Sequence, residues 1–300
     1  MRINIFLQLL FFVYISILKI LNSNINVFIY DILKTEVIMK YLQLGFKLYS
    51  DEVNKYDNEV INILNKKLFS YVELFINPNT TETINDWKKF KKKLDLPFTL
   101  HAPHSIYNIN LADKNQFEFN KKILQQQVDR FTEELNAQYV VVHPGKQHNI
   151  EETVRQLNLI NPKKMAIENK PLISKKTMTP TYRGGIVEEI KYVRENHECG
   201  FCLDISHCMS TANAINKNPY EYLQEFQNLN PTCYHISGNK FNSIVDLHLH
   251  FADCDWDLSK IFQIIDTSKN ITVETRKDNE ECFLEYEKDF EILQKSFNFS

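Results

Sequence analysis

The sequence predicts an α/β protein in which eight parallel strands close into a single TIM (β/α)8 barrel, with the active site at the C-terminal ends of the strands. Three observations carry that reading. Short apolar runs rich in β-branched and aromatic residues alternate with helix-period segments from Met39 to Ser300. Eight such pairs in about 250 residues is the arithmetic of this barrel. From the third strand onward, each run carries at or near its C-terminal end an ionisable residue of metal-ligand type. A doubly wound open sheet would also alternate strands and helices. However, no G-x-G-x-x-G or Walker loop follows any strand, and no Pro/Gly/Ser-rich linker or internal repeat divides the region.

Taken in order, residues 1–38 stand apart. "INIFLQLLFFVYISILKIL" is nearly continuous apolar sequence, long enough to resemble a signal anchor. Gln8, Ser16 and Lys19 interrupt it, and no A-x-A-like cleavage site follows. We read residues 1–38 as a leader from a misassigned start or a disordered extension, with a membrane anchor as the alternative, and residues 39–300 as the barrel. The first strand is then "YLQLGFK", followed by a helix over "NEVINILNKKLF". "YVELFI" leads into "INDWKKFKKKL", "FTLHAP" into "FNKKILQQQVDRFTEELN", and "YVVVHP" into "IEETVRQLNLI". "KMAIEN" precedes "GIVEEIKYVREN". "GFCLDI" runs into "LDISH" and a polar loop before the helix "YEYLQEFQNLN". "TCYHIS" with "DLSKIFQII", and "ITVETR" with "CFLEYEKDFEILQKSF", close the chain.

Composition fits a globular protein: 43% of the 300 residues are hydrophobic and 12% aromatic, which argues against disorder. A net charge of -3 provides no overall basic field for nucleic acid, although a local basic patch remains compatible with it. All six cysteines lie from residue 199 onward, at irregular spacing, so the chain has no secreted disulfide framework and a reducing, cytoplasmic setting is expected. Cys199-Gly-Phe-Cys202 is a single C-x-x-C without a second pair and reads as buried thiols rather than a zinc knuckle.

The strand-end residues are His101, His143, Glu168, Asp204, His235 and Glu274. A barrel gathers strand ends on one face, so residues far apart in sequence become one cluster. Singly, each has an ordinary reading: a histidine in "YVVVHPG" is usually a hydrogen-bonded core residue, and a glutamate after "MAI" or "TV" is usually salt-bridged. Together they bury many charges at one end, which is costly without a counter-charge, and a divalent cation would supply it. Asp204-x-x-His207 and Asp246-Leu-His248 add two carboxylate–imidazole pairs. Imidazole nitrogen with carboxylate oxygen is the donor set of zinc or a similar metal. Nine donors are too many for one ion and suit a multinuclear site.

These residues, with "MKYLQLGFKLYS", "HAPHSIYNINLA", "VVVHPGK", "MAIENK", "CLDISHC", "YHISGNK", "VDLHLHF" and "TVETR", resemble endonuclease IV within the wider xylose isomerase-like TIM-barrel group, from Met39 to about Arg276. The resemblance implies three zinc ions. His101, His143 and Glu168 would hold the first, and Glu168, Asp204, His235 and Glu274 the second. His207, Asp246 and His248 would hold the third. Glu168 and Glu274 become the expected catalytic carboxylates. The reaction it implies is hydrolysis of double-stranded DNA 5′ to abasic sites in base-excision repair, by a monomer with no obligate protein partner. A hydroxide bridging two zincs would be the nucleophile.

The chain departs from that pattern around the substrate. His104 stands where the family carries an aromatic in "HAPYLINLA". "FINPNTTETINDW" lacks the family's arginine, "HLHFADCDWD" replaces a glycine-rich loop, and "ENKPL" replaces "ENTAG". His104, Arg183 and Lys240 are the expected substrate contacts. Lys146, Lys170, Lys175 and Lys176 are further candidates, each of which alone reads more simply as solvated charge. The alternative function is a sugar or sugar-phosphate isomerase or epimerase on the same barrel. It would use Glu168, Asp204, His235 and Glu274 around one Mn²⁺-type ion, and it does not need His101, His143 or the Asp246–His248 pair.

Overall fold

Alternation is the rule that builds this molecule. On β1 (Leu44–Tyr49), Leu44, Phe46 and Leu48 are buried on one side while Gly45 and Lys47 occupy the other. The same two-residue period recurs on β2 (Tyr71–Phe75), β3 (Phe98–His101), β4 (Val140–Val142), β5 (Met165–Glu168), β6 (Gly200–Asp204), β7 (Cys233–Ile236) and β8 (Asn270–Val273). In the computed structural model, which describes residues 42–55, 68–276 and 283–298, each strand pairs in parallel with the next and β8 pairs back onto β1. The predicted closed (β/α)8 barrel is therefore the observed architecture.

Two layers of inward-facing side chains set the stage for the site. In the lower layer Val141, Ala166, Cys202 and Cys233 form one buried cluster, with Tyr139 packed against it. Tyr71 completes this floor by laying its ring directly against Gly45, where even a methyl group would overlap it. At the next inward position along the strands the chemistry changes abruptly: Lys47, Glu73, His101, Glu168, Asp204 and His235 are all buried.

Helices cover the outer face. α1 (Ile84–Leu94) buries Ile84, Trp87 and Phe90 at three-residue spacing, and the fully buried Trp87 donates its Nε1–H to the Ser50 carbonyl at 2.8 Å. The expected helix after β3 is helical but not uniform. α2 (Phe117–Lys121) and α3 (Asp129–Glu134) flank a π-helical segment, Lys122–Val128, that buries Ile123, Leu124 and Val128. α4 (Ile150–Ile160) starts at Asn149, whose side chain accepts from the Glu152 N–H, and α5 (Val187–Asn196) follows β5. The polar loop expected after "LDISH" is instead a helix, α6 (Ile205–Ala214), begun by Asp204. α7 (Pro219–Gln227) is capped by Asn218 with proline in its first turn, and α8 (Leu258–Ile264) by Asp257. α9 (Leu284–Asn298) closes the described chain.

Boundaries shift in places. β1 begins at Leu44 and runs to Tyr49 rather than covering "YLQLGFK". The leader, residues 1–38, lies outside the described residues, as does most of the helix expected over "NEVINILNKKLF". Among the described residues, no helix is long and apolar enough to cross a membrane.

Candidate metal centre

All nine expected ligand residues come together at the C-terminal ends of the strands. His101 and Glu168 end their strands, and His143 follows β4 directly. The Nε2 atoms of His101 and His143 lie 3.2 and 3.0 Å from the same Glu168 Oε2. On the other side of Glu168's neighbour His207, the cluster continues: the Nε2 atoms of His207 and His248 lie 3.2 and 2.6 Å from Asp246 Oδ2. Two of the three expected ligand sets thus form compact triads, His101/His143/Glu168 and His207/Asp246/His248, with ligand atoms within 4.8 Å of one another. The remaining set is shared out: His235 and Glu274 group with His101, and Asp204 groups with Glu168 and His207.

Local structure explains each position. Asp204 caps α6 through Oδ1, which accepts the His207 N–H at 2.7 Å, so Asp204 and His207 are joined by one helical turn and not by the loop expected from sequence. Asn169 clamps the Asp204 backbone, donating from Nδ2 to its carbonyl and accepting its N–H. In "HPG", Gly145 sits at φ +114, where a side chain would meet Asn110 and the Ala112 backbone. Asn110 Oδ1 accepts the Lys146 N–H at 2.8 Å, tying the loop that follows His143 to the loop that follows His104. His248 adopts φ +50 and its Nδ1 bonds the Glu274 carbonyl at 2.7 Å, which turns Nε2 toward Asp246.

The electrostatics are those of a crowded anionic cavity. Five carboxylates, Glu73, Glu168, Asp204, Asp246 and Glu274, face two ammonium groups, Lys47 and Lys170. Burial raises Asp204 to about 6, with Asp246 and Glu168 adding to the rise and His207 opposing it. For Glu168, burial pushes upward, but His143, Lys170 and the hydrogen bonds from His101 and His143 hold it well below the usual carboxylate range. Burial also lowers His207, yet its carboxylate neighbours, Asp204 foremost, lift it to about 10.

The donor set fits a divalent metal on two counts. Imidazole nitrogens and carboxylate oxygens converge without intervening apolar side chains. In addition, Asp204 Oδ2 is buried and makes no hydrogen bond, an orphaned acceptor within the cluster.

The expected substrate contacts are distributed unevenly. His104 lines the cavity, its ring stacked on His143 with centroids 4.4 Å apart. Burial pushes it well below the usual histidine range. Lys170 and Lys175 also line the cavity. Lys170 is buried rather than solvated, with its ammonium 2.9 Å from Glu168 Oε1 and 3.2 Å from His143 Nε2. Arg183 and Lys240 do not line it. Arg183 holds the Gln147 carbonyl and Glu189, and Lys240 donates to the Asp253 carbonyl. Lys47 and Glu73 were not anticipated, because single polar residues inside "LGFKLY" and "YVELF" read as ordinary solvent-facing alternation.

With this geometry in place, the chain can be set beside known proteins. A family model described as "Xylose isomerase-like TIM barrel" matches residues 66–296. Among curated proteins, none matches the sequence. Among solved structures, endonuclease IV from Thermus thermophilus is 17% identical, with 86% of this chain and 100% of that chain covered and a TM-score of 0.63. D-psicose 3-epimerase from Clostridium cellulolyticum is 10% identical over 85% of this chain and 97% of that one, at a TM-score of 0.54. D-allulose 3-epimerase from Methylomonas sp. is 11% identical over 86% and 97%, at 0.55. At these identities the structural likeness establishes the fold.

Proposed function

The chain belongs to the xylose isomerase-like TIM barrel family, and from that premise we propose that it is a zinc-dependent phosphodiesterase of the endonuclease IV kind, hydrolysing DNA 5′ to abasic sites. One observation carries the reading: His207, Asp246 and His248 converge in a triad beside the His101/His143/Glu168 triad, the two adjoining where His207 Nδ1 lies 3.1 Å from Glu168 Oε1. An isomerase site built on four ligands around a single ion has no use for either arrangement.

In this reading His101, His143 and Glu168 hold one ion, and Glu168, Asp204, His235 and Glu274 a second. His207, Asp246 and His248 hold a third. Ions so held lower the pKa of bound water toward neutrality and neutralise charge on a phosphate. The chain's own residues do the rest. Asn169 and the α6 cap fix Asp204 and His207 relative to each other, which sets the spacing at which two sites face the substrate. Lys170 holds Glu168 and His143 from within the cavity, and once those side chains turn to an ion its ammonium would be released to meet a phosphate oxygen as a point charge. His104 presents a ring beside His143 against which a substrate can pack.

A second reading has its own support. The cavity measures about 680 Å³, within the range that encloses small molecules, and the epimerases noted above share the fold. The deciding experiment offers zinc-loaded protein a duplex carrying a tetrahydrofuran abasic analogue and, separately, manganese-loaded protein a ketose. Incision 5′ to the analogue supports the phosphodiesterase. Ketose turnover without incision would replace it with the epimerase reading.

A further inference from the structure

The histidines of the site do not share one orientation. His101 places Nδ1 on the Ala102 carbonyl at 2.8 Å, His207 on the Asn169 carbonyl at 2.9 Å and His248 on the Glu274 carbonyl at 2.7 Å. Each thereby turns Nε2 toward a carboxylate of the cluster. His235 is reversed. Its Nε2 lies 3.0 Å from Glu73 Oε2, and its Nδ1 faces Glu274 Oε1 at 2.9 Å and Glu168 Oε2 at 3.8 Å. Its Nε2 partner is the carboxylate of Glu73, where the Nδ1 atoms of His101, His207 and His248 each have a backbone carbonyl.

Glu73 is itself held from below. Thr272 donates to Glu73 Oε2 at 3.0 Å, and Tyr71 O–H, 2.8 Å from the Thr272 hydroxyl, donates in turn to Thr272. Lys47 lies 3.5 Å from Glu73 Oε1 and also pairs with Glu274. His235, Glu73, Lys47 and Glu274 therefore form a closed ring of contacts, His235 on β7, Glu73 on β2, Lys47 on β1 and Glu274 directly after β8. Glu73 and His235 are wholly excluded from solvent and Lys47 nearly so.

We propose that Glu73 is a positioning residue for His235: it accepts the Nε2–H, selects that tautomer and directs the Nδ1 lone pair at the candidate metal site, while Lys47 supplies the counter-charge that lets Glu73 and Glu274 share the cavity. An imidazole that donates its far N–H to a carboxylate is a stronger and better oriented ligand than one left to rotate. Fixing the tautomer matters most for His235, because it is the histidine whose donor nitrogen is the one nearer the backbone.

The inference rests on His235 being a metal ligand, and its test reads metal rather than DNA. Zinc affinity of the unaltered protein, Glu73→Gln and Glu73→Ala is measured by competition with a chromophoric chelator, alongside long-range ¹H–¹⁵N spectra of the histidine rings. The unaltered protein should show His235 protonated on Nε2. Glu73→Ala should bind its weakest zinc on the order of 10- to 100-fold less tightly. Glu73→Gln, of the same shape and still able to accept the Nε2–H, should keep the tautomer and recover much of the affinity, and it covers the case in which the alanine variant fails to fold. Unchanged affinity in a folded Glu73→Ala protein, or a Nδ1–H His235 in the unaltered protein, overturns this inference alone. If the unaltered protein takes up no zinc, the metal reading falls with it. Failure to incise DNA touches neither outcome.

Discussion

Asp204 uses its two oxygens differently. Oδ1 caps α6 and Oδ2 is buried with no hydrogen bond, so the helix-cap reading and the ligand reading of "LDISH" are both compatible with the structure. Asp204→Asn separates them. Asparagine still accepts the His207 N–H, so the variant should melt no lower than the unaltered protein stripped of metal. Its zinc content should fall, as atomic absorption would show, and an unchanged content would remove Asp204 from the ligand set. Glu168 stands nearest to everything else: His101, His143, His207 and Lys170 all lie within 3.2 Å of its oxygens. Glu168→Ala should therefore cost more activity than the 10- to 100-fold, in order of magnitude, that losing an outer partner costs. His104→Ala should raise KM for the duplex while zinc content holds. If zinc is lost instead, the ring serves to brace His143.

At the scale of elements, α6 shows why part of the molecule was not legible. "ISHCMSTANA" is rich in Ser, Thr and Asn, which favour caps and turns over helix interiors, so its composition reads as a loop. Packing decides otherwise, because its residues from Ile205 to Ala212 are all buried. The π-helical segment between α2 and α3 was equally invisible, since a wider turn leaves the apolar spacing almost unchanged. Asp129, the first residue of α3, is buried and accepts the Lys163 N–H at 3.2 Å. Burial raises its pKa above the usual aspartate value. An acid whose folded pKa is raised binds more protons folded than unfolded, so it lowers stability as pH rises from the usual aspartate range through the folded value. Asp129→Asn keeps the acceptor and should be the more stable protein at pH 7 in urea titrations. That advantage should narrow as the pH falls toward the ordinary aspartate range, and an advantage independent of pH would contradict the assignment.

Across the whole molecule, the strands were legible because parallel strands covered on both faces are mostly apolar, as the runs "YVVV", "MAI" and "GFCL" are. The six strand-end residues were legible for a related reason: a charge interrupting the end of such a run has no solvent to face. Lys47 and Glu73 escaped notice because an alternating polar residue means solvent on an open sheet but the central axis in a closed barrel. Lys170, named among the candidate contacts, reads from sequence as solvated charge and is instead buried, because it lies on a loop that folds inward over the cavity. A cluster this anionic should make stability depend on added divalent cations. Saturating zinc should raise the melting temperature, by the equivalent of about 4 kcal/mol when free zinc stands at roughly a thousand times its dissociation constant, and a strong chelator should reverse the rise.

The central claim is that nine residues from separate parts of the chain hold several metal ions, and counting the ions tests it most directly. Elemental analysis of the zinc-reconstituted, exhaustively dialysed protein should return close to three zinc ions per chain. Retention of a single ion, with manganese preferred over zinc, would contradict the account.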